Sequence, residues 1–214
     1  MPENKYDNLS EFHLDGLQEV GNIGAGHAAI ALTQFLNRST YMSIPRVALD
    51  TIQNVNKFVK MPFDKELVIV STSTVSDLLY TLLVFMDKDS VEKIIDLMAH
   101  KPGTKSGIED LKLSPLYLSL IKETGSILLL KYVEALNYFL KASSFPSPPK
   151  IRIGSLGSLA EFELNDISQE LSRILFIECD IFTSERSISV DLAVVPHHGT
   201  FEKFMDKLFS SDNV

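Results

Sequence analysis

The sequence predicts an α+β fold built from two pseudo-symmetric halves, each running α-β-β-β-α, with two long helices and a largely antiparallel sheet. Three observations point to it. Residues 17–47 (LQEVGNIGAGHAAIALTQFLNRSTYMSIPRV) and 121–151 (IKETGSILLLKYVEALNYFLKASSFPSPPKI) align without a gap. They share about ten identities over roughly thirty positions. Glu19 falls on Glu123, Gly21 on Gly125, Ile23 on Ile127 and Phe35-Leu36 on Phe139-Leu140. Apolar residues in the first copy recur at the helical period, and strand-like stretches joined by short connections follow each copy. A period near a hundred residues is too long for a solenoid unit of roughly 20–50. It suits a single domain over residues 1–214 made of two repeats, about 8–100 and 110–212.

The first helix is expected to start near Asn8, because Asn8 followed by Glu11 has capping-box spacing. Apolar positions then run Phe12, Leu14, Leu17, Val20, Ile23, Ile30 and Phe35, and Asn37 reads as the stop. Such a helix is roughly 40 Å long. The second long helix is expected to open at Ser114-Pro115. Serine caps well, and proline suits the first helical position because its missing N–H has no partner to lose there. It should end before Pro146, Pro148 and Pro149. Strands are expected near Arg46 to Ile52, Leu67 to Val75 and Leu78 to Met86, then near Lys150 to Leu156, Ile174 to Thr183 and Ser187 to Val195. Each half closes on a short helix, where Val91-Glu92-Lys93-Ile94-Ile95-Asp96 matches Phe201-Glu202-Lys203-Phe204-Met205-Asp206. This alignment needs a slip of a few residues among the strands. Lys101-Pro102-Gly103-Thr104 reads as the seam.

The chain has 214 residues, a net charge of −8, one cysteine and no tryptophan. The acidic balance argues against sequence-independent nucleic-acid binding, which needs clustered Lys and Arg, and against an anionic membrane surface. The N-terminal MPENKYDNLSEF lacks the basic, apolar, small-residue succession of a signal peptide. The most apolar stretch, Leu78 to Met86, falls far short of the ~20 residues of a spanning helix. With no partner for an internal disulfide at Cys179, a soluble cytoplasmic protein is expected.

On the first helix, Asp15, Glu19, Asn22 and Gly26 are separated by four, three and four residues and share one narrow face. A carboxylate and a carboxamide then point the same way, one turn apart, beside a residue with no side chain. Glycine costs about 1 kcal/mol in a helix interior relative to alanine, yet this helix carries Gly16, Gly21, Gly24 and Gly26. Either close packing of another helix or close approach of a partner protein has to offset them.

The spacing Asp/Ser-x-x-x-Glu-x-x-Asn, here Asp15, Glu19 and Asn22, resembles the signature of the CheC/CheX/FliY phosphatases. The surrounding GNIGAGHAA-x-AL, the later SIPRV and the segment from Pro196 to Phe209 are similar to CheC, and the resemblance covers nearly the whole chain. It implies a cytoplasmic chemotaxis enzyme that removes the phosphoryl group from the aspartyl phosphate of a CheY-like response regulator. Asn22 would orient the attacking water, and Glu19 would pair with a lysine of the regulator. Asp15 and Gly26 would lie on the docking face. The Mg²⁺ would belong to the regulator, so no cofactor or metal site is expected in this chain. A carboxamide both donates and accepts, so it can aim a water without being a strong base. Phosphoryl transfer gains chiefly from such positioning. The resemblance also implies a second reading, a non-catalytic adaptor for a CheD-type receptor deamidase. A flagellar switch component, the third, would carry further switch-binding segments, and none is recognised here.

CheC carries the motif twice. Here the second copy reads Ser119, Glu123 and Ser126, and Gly24-Ala25-Gly26 becomes Leu128-Leu129-Leu130. A degenerate second site is therefore expected, with a shorter polar group at Ser126 and an obstructing Leu130. The plainer alternatives are solvated polar residues for Glu19 and Asn22, a solvated neighbour for Asp15 and a surface or packing role for His27. The run Gly21 to Gly26 lacks the following Gly-Lys-Ser/Thr of a phosphate-binding loop. His197-His198 has no nearby Cys or carboxylate to complete a metal site. Cys179, within ILFIECDIF, reads as a buried core thiol.

Overall fold

A computed structural model describes residues 10–51, 66–99, 114–155, 173–183, 187–197 and 199–209. In chain order these residues form α1 (Glu11–Leu36), β1 (Thr40–Met42), β2 (Arg46–Thr51), β3 (Glu66–Ser76), β4 (Tyr80–Met86), α2 (Lys88–Ala99), α3 (Pro115–Leu140), β5 (Ser144–Pro146), β6 (Lys150–Ser155), β7 (Arg173–Thr183), β8 (Ser187–Pro196) and α4 (Phe201–Leu208). The class is α+β, as expected, with every strand pairing antiparallel. The order helix, four strands, helix occurs twice. The short strands β1 and β5 were not foreseen: three residues are too few to show a period.

The two long helices are 26 residues each, about 39 Å at 1.5 Å per residue. Ser10 caps α1: its hydroxyl accepts from the His13 N–H at 3.3 Å, while His13 Nδ1 accepts from the Ser10 N–H at 3.2 Å. Asn8, the expected cap, lies outside the described residues, and a histidine takes the part usually played by Glu or Gln. Asn37 ends the helix in the left-handed conformation, φ 51°, which asparagine tolerates better than most residues. Ser114 caps α3 with Pro115 at the first position, as predicted. Each helix is then stapled to the strand that follows it. The Thr40 N–H donates to Thr33 Oγ1 at 3.0 Å, and the Ser144 N–H donates to Asn137 Oδ1 at 3.1 Å. Residues 33 and 137, and 40 and 144, are aligned positions of the sequence repeat.

Among the described residues the sheet has eight strands in the order β1-β7-β8-β4-β3-β5, with β2 also on β7 and β6 also on β3. The hairpins β3–β4 and β7–β8 form its centre, joined through β4 and β8. The strands following each long helix cross over: β1 and β2 pair with β7, and β5 and β6 pair with β3. This exchange between the two segments is invisible to local pattern, since a period of two says that a strand exists and not which strand it meets.

Both long helices lie on one face of the sheet. Leu17, Val20, Ala28 and Leu32 of α1 share a core with Leu128, Leu129, Tyr132 and Leu136 of α3 and with Val68, Val70, Leu175, Ile177, Leu192 and Val194 of the sheet. On the opposite face Leu67, Ile69, Leu83, Phe85, Phe176, Ala193 and Val195 form a second buried cluster. Alternation along β3 and β8 thus sends apolar residues to both sides, so these strands read as nearly continuous apolar runs. Ile52, Leu156 and the seam Lys101 to Thr104 lie outside the described residues.

Cys179 is a buried thiol, as read from the sequence, and burial pushes its pKa up to about 12. Since the thiolate is the nucleophile, iodoacetamide at pH 8 should leave the folded protein unlabelled and modify it rapidly in denaturant, as intact mass will report. Fast labelling of the folded protein would contradict the burial.

Candidate functional site

Helix α1 has two unlike sides. Leu17, Val20, Gly21, Gly24, Ala25, Ala28, Leu32 and Leu36 are buried at intervals of three and four residues. Asp15, Glu19 and Gly26 are exposed, and Asn22 is half-buried between them. The structure therefore brings all four predicted residues onto one outward-facing strip. Neither the Glu19 nor the Asn22 side chain has a hydrogen-bond or ion-pair partner among the described residues. An amide with unspent donors and acceptors at a half-buried position can bind a water or a visiting polar group without first breaking an internal bond.

The glycines divide into two kinds. A Cβ at Gly24 would sit 2.5 Å from the Tyr132 ring, and one at Gly21 would sit 3.1 Å from Pro45 Cγ and 3.2 Å from Val47 Cγ2. A Cβ at Gly16 would meet the Phe209 ring at 2.8 Å. These three glycines are explained by close internal packing. Gly26 has nothing within 4 Å of such a Cβ, so internal packing does not account for it. The turn carrying Asn22 is held from two sides, by Tyr132 on α3 and by Pro45 and Val47 before and within β2. Gln18 Nε2 also donates to the Pro45 carbonyl. Sequence reasoning missed these supports. The available signal was the small–large exchange between copies, Gly24 against Leu128 and Ala28 against Tyr132.

The second copy differs in its geometry. Glu123 is exposed like Glu19, but Ser126 is buried and its hydroxyl donates to the Lys122 carbonyl at 2.6 Å. The shorter polar group expected at Ser126 is thus turned onto its own helix. Ser119 is exposed, and Leu130, at the position of Gly26, is 44% exposed.

His27 is exposed on α1, off the strip. His197 Nε2 is paired with Thr81 Oγ1 at 2.9 Å, and partial burial lowers its pKa. His198 lies outside the described residues. No group of three or more His, Cys, Asp or Glu among the described residues is placed to hold a metal ion. No described helix is long and apolar enough to cross a membrane.

Taken together, an α+β fold with two long helices on one face of an antiparallel sheet, and an exposed Glu-x-x-Asn strip on the first, are similar to what the CheC resemblance implies. Comparison with known proteins agrees. A model of the CheC-like family matches residues 12–49. The chain is 27% identical to the CheY-P phosphatase CheC of Bacillus subtilis (strain 168) over 208 residues, covering 96% of this chain and 98% of that protein. The crystal structure of Thermotoga maritima FliY superposes with a TM-score of 0.74 at 21% identity, covering 96% and 99% of the two chains. A chain of the Helicobacter pylori FliM–SpeE complex does so with a TM-score of 0.67 at 12% identity, covering 96% and 98%. The last two likenesses are of fold. The resemblance to CheC read from the sequence is borne out.

Two substitutions should move stability in opposite directions. Gly26→Ala should raise it by about 0.5–1 kcal/mol, the helix-propensity gain, since the added methyl meets nothing. Gly24→Ala should lower it, because overpacking against a buried ring costs ~1–3 kcal/mol. Urea unfolding of both variants checks this, and stabilisation by Gly24→Ala would mean that the helices are not in close contact there.

Proposed function

We propose that this chain hydrolyses the aspartyl phosphate of a CheY-like response regulator in chemotaxis signalling, using the exposed strip of α1. The observation that carries the reading is the half-buried Asn22 carboxamide, without a partner among the described residues, one turn after exposed Glu19 and beside a glycine with open space around it. Similarity to a CheY-P phosphatase along 96% of the chain supports the same substrate class.

In this reading the strip docks over the phosphorylated aspartate. Gly26 lets the partner's backbone approach the helix closely. Glu19, on a flexible two-carbon stem, pairs with a cation of the regulator and sets the angle of approach. Asn22 accepts a hydrogen bond from a water and fixes the water's lone pair in line with phosphorus, the arrangement an in-line displacement requires. Mg²⁺ held by the regulator would neutralise the phosphoryl oxygens, and α1 supplies position only. The second copy does not take part: its Ser126 hydroxyl is spent and its Leu130 stands where a partner would come close. A CheD-type deamidase is the occupant we assign to the second long helix in the adaptor reading, which the exposed Leu130 and Tyr138 support. The two roles are compatible.

Asn22→Ala should slow decay of the phosphorylated regulator at least tenfold, about 1.4 kcal/mol in the barrier, with binding largely kept. Glu19→Ala should weaken binding as well as turnover. Phosphate release and regulator titration measure both, and unchanged decay with Asn22→Ala rejects the enzyme. Placed in the Asn22→Ala background, Ser126→Asn should leave phosphate release at the single-mutant level; recovery would show that the second site is usable.

A further inference from the structure

The second long helix has lost the features of a site, yet it presses on the first helix at the turn that carries Asn22. Tyr132 is fully buried, and its ring lies so close to Gly24 that a Cβ there would stand 2.5 Å from two ring carbons. Its phenol O–H points at the Gly21 carbonyl, 3.4 Å away, with the Cys179 thiol as its other polar neighbour. The ring therefore touches the backbone on both sides of Asn22, at residues 21 and 24. Across the helix, Pro45 and Val47 close on Gly21, and Gln18 is tied to the Pro45 carbonyl.

The two copies differ in bulk at this contact. Positions 24 and 28 of the first copy are Gly and Ala; the aligned positions 128 and 132 are Leu and Tyr. One helix is small where the other is large. The buried residues Ala28 and Leu128 belong to the same core. The same exchange that makes the second strip bulky supplies the ring that supports the first.

We infer that Tyr132 is a positioning residue that clamps the 21–24 turn of α1 and so fixes the direction of Asn22, the degenerate copy serving as a buttress for the working one. The inference rests on the phosphatase reading for its kinetic consequence and on the packing alone for its structural one. A misplacement of about 1 Å can cost ~10²-fold in rate, so a loosened turn should lower turnover while leaving docking through Glu19 intact.

The test uses the full chain with Tyr132→Phe, Tyr132→Leu, Gly24→Ala and the double variant Gly24→Ala/Tyr132→Leu. Assays run at temperatures where each is folded by circular dichroism. Tyr132→Phe keeps the ring and should hold kcat within about twofold, whereas Tyr132→Leu should lower kcat roughly tenfold or more with KM little changed. In the double variant the added methyl partly fills the space left by the ring, and kcat should recover above that of Tyr132→Leu. Amide hydrogen exchange should quicken across residues 21–26 in Tyr132→Leu and stay slow around Leu32 and Leu36. If Tyr132→Leu does not fold, Gly24→Ala gives the same reading by pushing the ring away. Exchange unchanged across 21–26, or a kcat kept within about twofold in a folded Tyr132→Leu or Gly24→Ala variant, overturns the clamp. Failure of the phosphatase reading shows separately, as unchanged decay with Asn22→Ala, and leaves the exchange measurement to decide the clamp.

Discussion

The contact between α1 and α3 at Gly24 and Tyr132 is the constraint around which the rest of the molecule is arranged. A helix can present a rigid polar strip only if its other side is immobilised. Here that is achieved by removing side chains from α1 so that a ring and a proline can reach its backbone. Close approach multiplies the number of atom pairs at van der Waals distance, each worth only ~0.1–0.2 kcal/mol but collectively large. Four glycines in one helix would otherwise weaken it by a few kcal/mol. Three of them are accounted for by packing, and the fourth, Gly26, is left facing outward.

The sheet complements this. Because β1 and β2 cross to β7, the strands that follow α1 are hydrogen-bonded into the hairpin of the second half, and β5 and β6 return the exchange on β3. Pro45 and Val47, which press on Gly21, are therefore held by a strand ladder anchored far away in sequence. The turn bearing Asn22 sits between two long-range supports, α3 on one side and the β2–β7 ladder on the other. A duplicated ancestor with equal halves would divide such support evenly. In this chain it is divided unevenly, with small residues on α1 and large ones on α3.

The same unevenness separates the two strips chemically. At Asn22 a carboxamide is presented with its hydrogen-bonding capacity unspent among the described residues; at Ser126 a hydroxyl satisfies itself on the Lys122 carbonyl and is covered. A short hydroxyl inside a helix readily bonds back to the carbonyl four residues earlier, an option that a longer amide uses less well. The change from Asn to Ser thus alters direction as well as length. With Leu130 in place of open Gly26, the second copy lacks both a free polar group at the position of Asn22 and a low profile beside it.

Much of this was legible in the sequence, and for clear reasons. Period and caps place the long helices, since Ser114-Pro115 and Asn37 act through local backbone geometry that needs no tertiary partner. The four-three-four spacing puts Asp15, Glu19, Asn22 and Gly26 on one face because a helix has a fixed rise and twist. The strip's residues could therefore be named before any fold was known. Two things depended on the tertiary structure. The strands exchange between halves, because pairing partners are selected by the sheet as a whole. Nothing local marks Tyr132, because the turn it supports lies a hundred positions away in sequence. Local chemistry thus determined which groups are offered to solvent, and only long-range packing decided which of the two offered faces is held rigid and left open.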